Sequence, residues 1–193
     1  MAVLARAARA YVSQTDAFLF HRQGRDWRWI SFGAAESKLA AGVPGVADWP
    51  ADPVAAALAA LSSGEENAAI GGLLERLPPS RRRDIVVLDR PPGVAEGRLL
   101  LGWAAAAGAA VILEPDIERR AATIAWVRPT IVAGTARELR DLGERLLVLG
   151  DPGLLRRRRR PLGRLRAVIL LDHASDDLAE PWRAVGVAAI AAG

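Results

Sequence analysis

The sequence predicts an α/β protein built on a mostly parallel sheet flanked by helices and preceded by a small helix and β-hairpin. Three observations predict it. Short runs rich in β-branched residues recur at Ile85-Val-Val-Leu88, Val111-Ile-Leu113, Thr130-Ile-Val-Ala133 and Ala167-Val-Ile-Leu-Leu171. These runs are apolar throughout rather than alternating, as strands covered on both faces are. The segments between them are long enough for crossover helices, the βαβ signature of a parallel sheet.

Taken in order, residues 2–12 suit a helix with Val3, Leu4, Ala7, Ala8 and Tyr11 on one face. Asp16–His21 and Trp27–Phe32 read as strands of a hairpin around a turn at Gln23-Gly24-Arg25. Trp27 and Trp29 fall on one face of it, a candidate exposed patch or interface. Ala34–Ala41 is a short helix ending at Gly42. The Pro- and Gly-rich stretch 42–53 is the expected internal boundary, separating an N-terminal appendage (1–50) from an α/β domain (51–193).

Val54–Leu61 is Ala-rich, so propensity favours a helix, while a buried strand remains open on pattern alone. Ala68–Leu77 is helical up to Pro78-Pro79. Helices are expected over Val94–Ala107 and Ile117–Trp126. Thr135 caps another through Leu147, with Glu138 in the capping-box position. Asp151-Pro-Gly153 and the arginine run 156–160 form a basic loop. Ser175 caps a helix to Ala184, and Val187–Ala191 is a closing strand.

Composition excludes several chemistries. With 193 residues and 51% hydrophobic content the chain can bury a full core without staples. It has no cysteine, so disulfides, thiolate metal sites and cysteine nucleophiles are ruled out. Only His21 and His173 offer imidazole, which argues against a His-rich zinc site. Cations are almost all arginine, so a catalytic or Schiff-base lysine would have to be Lys38. The formal charge of +4 is modest and does not imply nucleic acid. No segment reaches the ~18–20 apolar residues of a membrane span. Arginines interrupt the Ala-rich N-terminus, so it reads as an amphipathic helix rather than a secretory signal, with the cytoplasm as default address.

Laid end to end, the pieces resemble the large N-terminal part of the adenylate-forming superfamily, which includes acyl-CoA synthetases, luciferases and peptide-synthetase adenylation domains. Phe18–Leu39, with Trp29-Ile-Ser-Phe-Gly33, is similar to the family's opening hairpin and helix. Asp52–Gly64 resembles the strand that enters its Ser/Thr/Gly-rich phosphate loop. Asp84–Leu88 and Gly108–Leu113 resemble two successive family strands. Val127-Arg-Pro-Thr-Ile-Val-Ala-Gly-Thr-Ala-Arg-Glu-Leu139 is the best local match, to the family's "P-T-x-x-x-x-V-P" region. Leu162–Leu171 and Gly186–Gly193 match strands further on.

The resemblance implies an acyl or nucleotide ligand, with ATP or AMP and magnesium as cofactors. Retained phosphate contacts would fall on Ser62, Ser63 and Gly64. A retained acyl pocket would be lined near Gly134, Thr135, Asp172 and His173. The departures are specific. Where the family loop has a hydroxyl pair and a following lysine, this chain has Glu65-Glu66 and no lysine. Two carboxylates facing a triphosphate repel it. Ser-Ser-Gly-Glu-Glu reads better as a helix N-cap with acids in the first turn. The family's aromatic-Gly-x-Thr-Glu motif, ribose-binding aspartate and C-terminal catalytic lysine do not occur within these residues. A complete adenylation site is therefore not expected from them alone.

Other constellations have plainer readings. Glu114, Asp116 and Glu118 follow a strand end, where α/β folds place ligands, and could hold magnesium; a solvated loop explains them better. His173, beside Asp172 and Ser175, is the best lone acid-base candidate, but no Gly-x-Ser-x-Gly elbow supports a triad. The arginine run 156–160 lacks interleaved aromatics, which disfavours nucleic acid. Three functions follow as expectations: a degenerate relative that is non-catalytic alone and acts as a binding or regulatory partner; a split or truncated acyl-adenylating enzyme completed by another chain; and a self-assembling module. The first fits the missing motifs best. A protein partner or homo-oligomer is expected with it.

Overall fold

Seven strands and six α-helices account for the regular structure among the residues described in the computed structural model, which are 16–42, 48–62, 68–77, 83–147, 164–172, 182–183 and 186–192. The chain divides into two compact units, Met1–Ile117 and Glu118–Gly193.

In the first unit the hairpin forms as expected. Strands β1 (Ala17–Gln23) and β2 (Asp26–Ser31) pair antiparallel around Gly24-Arg25, with Gly24 at φ +63°. That φ is the left-handed conformation a two-residue hairpin turn requires. Ser31 caps α1 (Phe32–Ala40), its hydroxyl accepting from the Ala34 amide at 3.1 Å. Helices α2 (Pro53–Ser62) and α3 (Ala68–Arg76) precede β3 (Ile85–Leu88), and α4 (Ala95–Ala107) crosses to β4 (Ala110–Leu113). The strands of this unit lie in the order β2-β1-β4-β3, with β4 parallel to both β1 and β3. The hairpin joins the sheet through β1, which pairs with β4.

Val54–Leu61 is helical, which corrects its matching to a family strand. Asp52 and Pro53 decide this locally. The Asp52 carboxylate accepts from the Ala55 amide at 2.9 Å, and Pro53 takes the first helical position, where its missing N–H costs nothing. Ala56, Ala57, Leu58 and Leu61 form the buried face of α2. Helix α4 ends on Gly108 at φ +70°, whose carbonyl accepts from the Arg83 guanidinium at 2.9 Å. The core gathers Phe18 and Phe32, edge to face at 5.9 Å between centroids, with the buried Trp103 and the apolar strands.

The second unit begins within a 3-10 turn at Ile117–Arg119 that leads into α5 (Arg120–Val127), replacing the single helix expected there. Strand β5 (Ile131–Gly134), α6 (Ala136–Leu147), β6 (Ala167–Leu170) and β7 (Ala188–Ala191) follow. Here the order is β5-β6-β7, all parallel. Every residue of β5 and β6 is buried, matching their uniformly apolar sequences. The expected N-terminal helix at 2–12, the arginine run 156–160 and most of the expected helix after Ser175 lie outside the described residues. No described helix is long and apolar enough to cross a membrane.

Candidate functional site

Parallel strands bring their carboxyl ends to one side, and the residues that follow them are the candidates for ligand contact. In the second unit these are Gly134, Thr135 and Asp172. Gly134 ends β5, Thr135 and Ala136 begin α6, and Asp172 follows β6. The register Gly134 to Leu170 places these two strand ends side by side.

The chain's own oxygens occupy the start of α6. The Thr135 amide donates to Glu138 Oε2 at 2.7 Å, and the Glu138 amide donates to Thr135 Oγ1 at 3.3 Å. This is the expected capping box. The Ala136 amide donates to both Asp172 oxygens, at 2.9 and 3.1 Å. Two carboxylates therefore sit where the helix dipole favours negative charge. An external phosphate or carboxylate would have to displace them. Of the four expected pocket residues, the structure brings together Gly134, Thr135 and Asp172; His173 lies outside the described residues.

Beneath this edge lies Arg120, buried, its Nη2 donating to the Ala133 carbonyl at 2.8 Å. A side chain at Gly134 would meet Arg120 Nη2 and Glu138 Oε2, both at 3.1 Å, so only glycine fits without movement. Sequence reasoning did not single out Arg120. Its signal was present: Arg120, Thr123 and Ile124 share one helix face, and the latter two are buried.

In the first unit the strand ends carry Arg22, Asp89, Arg90 and Glu114. Glu114 is only 2% exposed, which corrects the solvated-loop reading for this residue. Its Oε2 lies 3.7 Å from Arg22 Nε, and its Oε1 accepts from the Asp116 amide at 3.3 Å. The Arg22 guanidinium in turn stands over the Trp27 ring at 4.9 Å. Arg90 pairs with its neighbour, the buried Asp89, at 3.3 Å. Both carboxylates here have a guanidinium beside them, and no three His, Cys, Asp or Glu among the described residues converge to hold a metal ion.

Ser62 is the last residue of α2, and its hydroxyl donates to the Ala59 carbonyl at 2.7 Å. Ser63 and Gly64 lie outside the described residues. Of the three implied phosphate contacts, Ser62 alone is therefore among the described residues.

No protein-family model matches the sequence, and no curated protein matches it. Solved structures do. CmiS6 is similar over 98% of this chain and 70% of its own, at 15% identity and a TM-score of 0.64. A double mutant of o-succinylbenzoate CoA synthetase from Bacillus subtilis, bound with its product analogue, is similar over 97% of this chain and 57% of its own, at 12% identity and a TM-score of 0.59. The N-terminal domain of FACL13 from Mycobacterium tuberculosis aligns over 64% of this chain and 31% of its own, at a TM-score of 0.46. The chain spans less than two thirds of the synthetase and about a third of the FACL13 domain. Its fold is similar to those of CmiS6 and o-succinylbenzoate CoA synthetase.

Proposed function

We propose that this chain is a degenerate relative of acyl-adenylating enzymes, non-catalytic alone, that acts as a binding or regulatory partner. The observation that carries the reading is α2. Where the resemblance calls for a strand running into a phosphate loop, the chain has a capped helix ending on Ser62, whose hydroxyl is already bonded to Ala59. Glu65-Glu66 follows in sequence, with no lysine after it. The occupied start of α6 supports the same reading, because Asp172 and Glu138 oppose a second anion there. A retained ligand would be acyl in character and would lie along Gly134, Thr135, Asp172 and His173.

A second reading is favoured by coverage alone: the chain matches 57% of the synthetase's length, so further protein could complete an adenylating site. Calorimetric titration with magnesium-ATP and a stable acyl-adenylate analogue separates the two. The first reading expects no saturable heat with magnesium-ATP and no pyrophosphate exchange from the folded chain. Saturable nucleotide binding that disappears in Gly64→Trp overturns it in favour of the second. Binding of the acyl-adenylate analogue that Thr135→Trp abolishes would assign the acyl pocket.

A further inference from the structure

Among the described residues, β2 is the outermost strand on its side of the sheet. Asp26 and Arg28 are exposed and two residues apart, so they share a face, with Trp27 between them on the other. Trp29, on the Trp27 face, is 55% exposed. Outermost strands are templates for added strands, and charges on them normally discourage pairing. On β2 the two charges have opposite sign, so the outcome depends on register.

We propose that two copies of this chain associate by antiparallel pairing of their β2 strands, with Trp27 on the twofold axis and Asp26 of each copy opposite Arg28 of the other. A twofold antiparallel pair opposes only residues that share a face, which limits the choices. The Trp27-centred register forms two opposite-charge pairs and sets Trp29 beside Arg25 of the second copy, a cation near an indole. The register centred on Arg28 opposes two like charges. The register centred on Trp29 opposes Arg28 to Ile30 and forms no charge pair. A second copy is the partner that fits, because complementarity requires both signs at reflected positions and the strand itself supplies them. This inference stands apart from the ligand reading above and survives its failure.

The absence of cysteine makes the register directly testable. Trp27→Cys, Arg28→Cys and Trp29→Cys are prepared separately and oxidised. Directly opposed residues of an antiparallel pair lie about 5.5 Å apart at Cα, within disulfide reach. Trp27→Cys should give the most covalent dimer. Stronger linking through Arg28→Cys or Trp29→Cys, or none from any variant, overturns the proposal. Sedimentation equilibrium tests the charges without touching the indoles. Arg28→Asp should weaken self-association about tenfold, and Asp26→Arg/Arg28→Asp should restore it. A double variant as weak as the single one, or an unaltered chain monomeric at several hundred micromolar, overturns it equally.

Discussion

Gly97→Ala should destabilise the chain although it places the best helix former inside a helix. Gly97 lies in the first turn of α4, directly after the Arg90-Pro-Pro-Gly93 loop. A Cβ built on it would stand 2.8 Å from the Pro91 carbonyl carbon and 2.9 Å from Pro92 Cα, and closer still to the Pro91 oxygen. All three are backbone or ring-anchored atoms on consecutive prolines, which have little freedom to yield. The Pro91 carbonyl also accepts the Val94 amide at 3.1 Å, so moving it loosens the start of the helix. Helix propensity offers at most ~1 kcal/mol in return. Overpacking of this kind costs ~1–3 kcal/mol, and a weakened Val94–Pro91 hydrogen bond adds to it. The net loss should be about 2 kcal/mol. Gly71→Ala is the control: it is also inside a helix, α3, but nothing lies within 4 Å of its Cβ. It should gain ~0.5–1 kcal/mol. Gly102→Ala falls between them, because its Cβ would meet only the flexible Ile70 Cδ1, at 2.6 Å. Urea denaturation followed by tryptophan fluorescence measures all three. A Gly97→Ala chain as stable as the Gly71→Ala chain would refute the reasoning.

Other substitutions test the local chemistry of the second unit. Arg128 closes α5 at φ +54°, so Arg128→Gly should stabilise by about 1 kcal/mol in the same denaturation assay. Thr135→Ala and Glu138→Ala should each cost ~1 kcal/mol by removing half of the capping box, and the double variant should cost less than their sum. Arg120→Ala leaves the buried Ala133 carbonyl without its 2.8 Å donor and should cost at least ~1–3 kcal/mol by denaturation. Asp172→Asn can keep an acceptor for the Ala136 amide but loses the charge at the helix start. It should cost ~0.3–1 kcal/mol, less at high salt.

Strand identity was legible because β3, β4, β5 and β6 are short, apolar and rich in β-branched residues. The hairpin was legible in its turn, where Gly24 supplies the positive φ. The status of Val54–Leu61 was not resolved by pattern, since an Ala-rich apolar run suits either state. The decisive signal lay one residue outside it, in Asp52-Pro53, a cap followed by the residue best suited to a first helical turn. The sheet partner of the hairpin was illegible for a different reason. The β1–β4 pairing joins residues some ninety positions apart, and no local pattern records which strand receives β1.

The candidate site shows the same division between local and distant information. Thr135 and Glu138 are three apart, so their capping box was readable from spacing alone. That Asp172 reaches the same helix start depends on the β5–β6 register, which sequence spacing does not encode. The consequence is chemical. Thr135 and Asp172 are expected pocket residues on resemblance, yet their hydrogen bonds are directed inward, to the chain's own amides and carboxylates. Helix starts in α/β folds serve anions when their amides are left open. Here Glu138 and Asp172 fill that role themselves, and Ser62 turns its hydroxyl to its own helix. Ser62, Thr135 and Asp172 each make a hydrogen bond at a helix end. A phosphate arriving at this helix start would compete with Glu138 and Asp172 for the Thr135 and Ala136 amides.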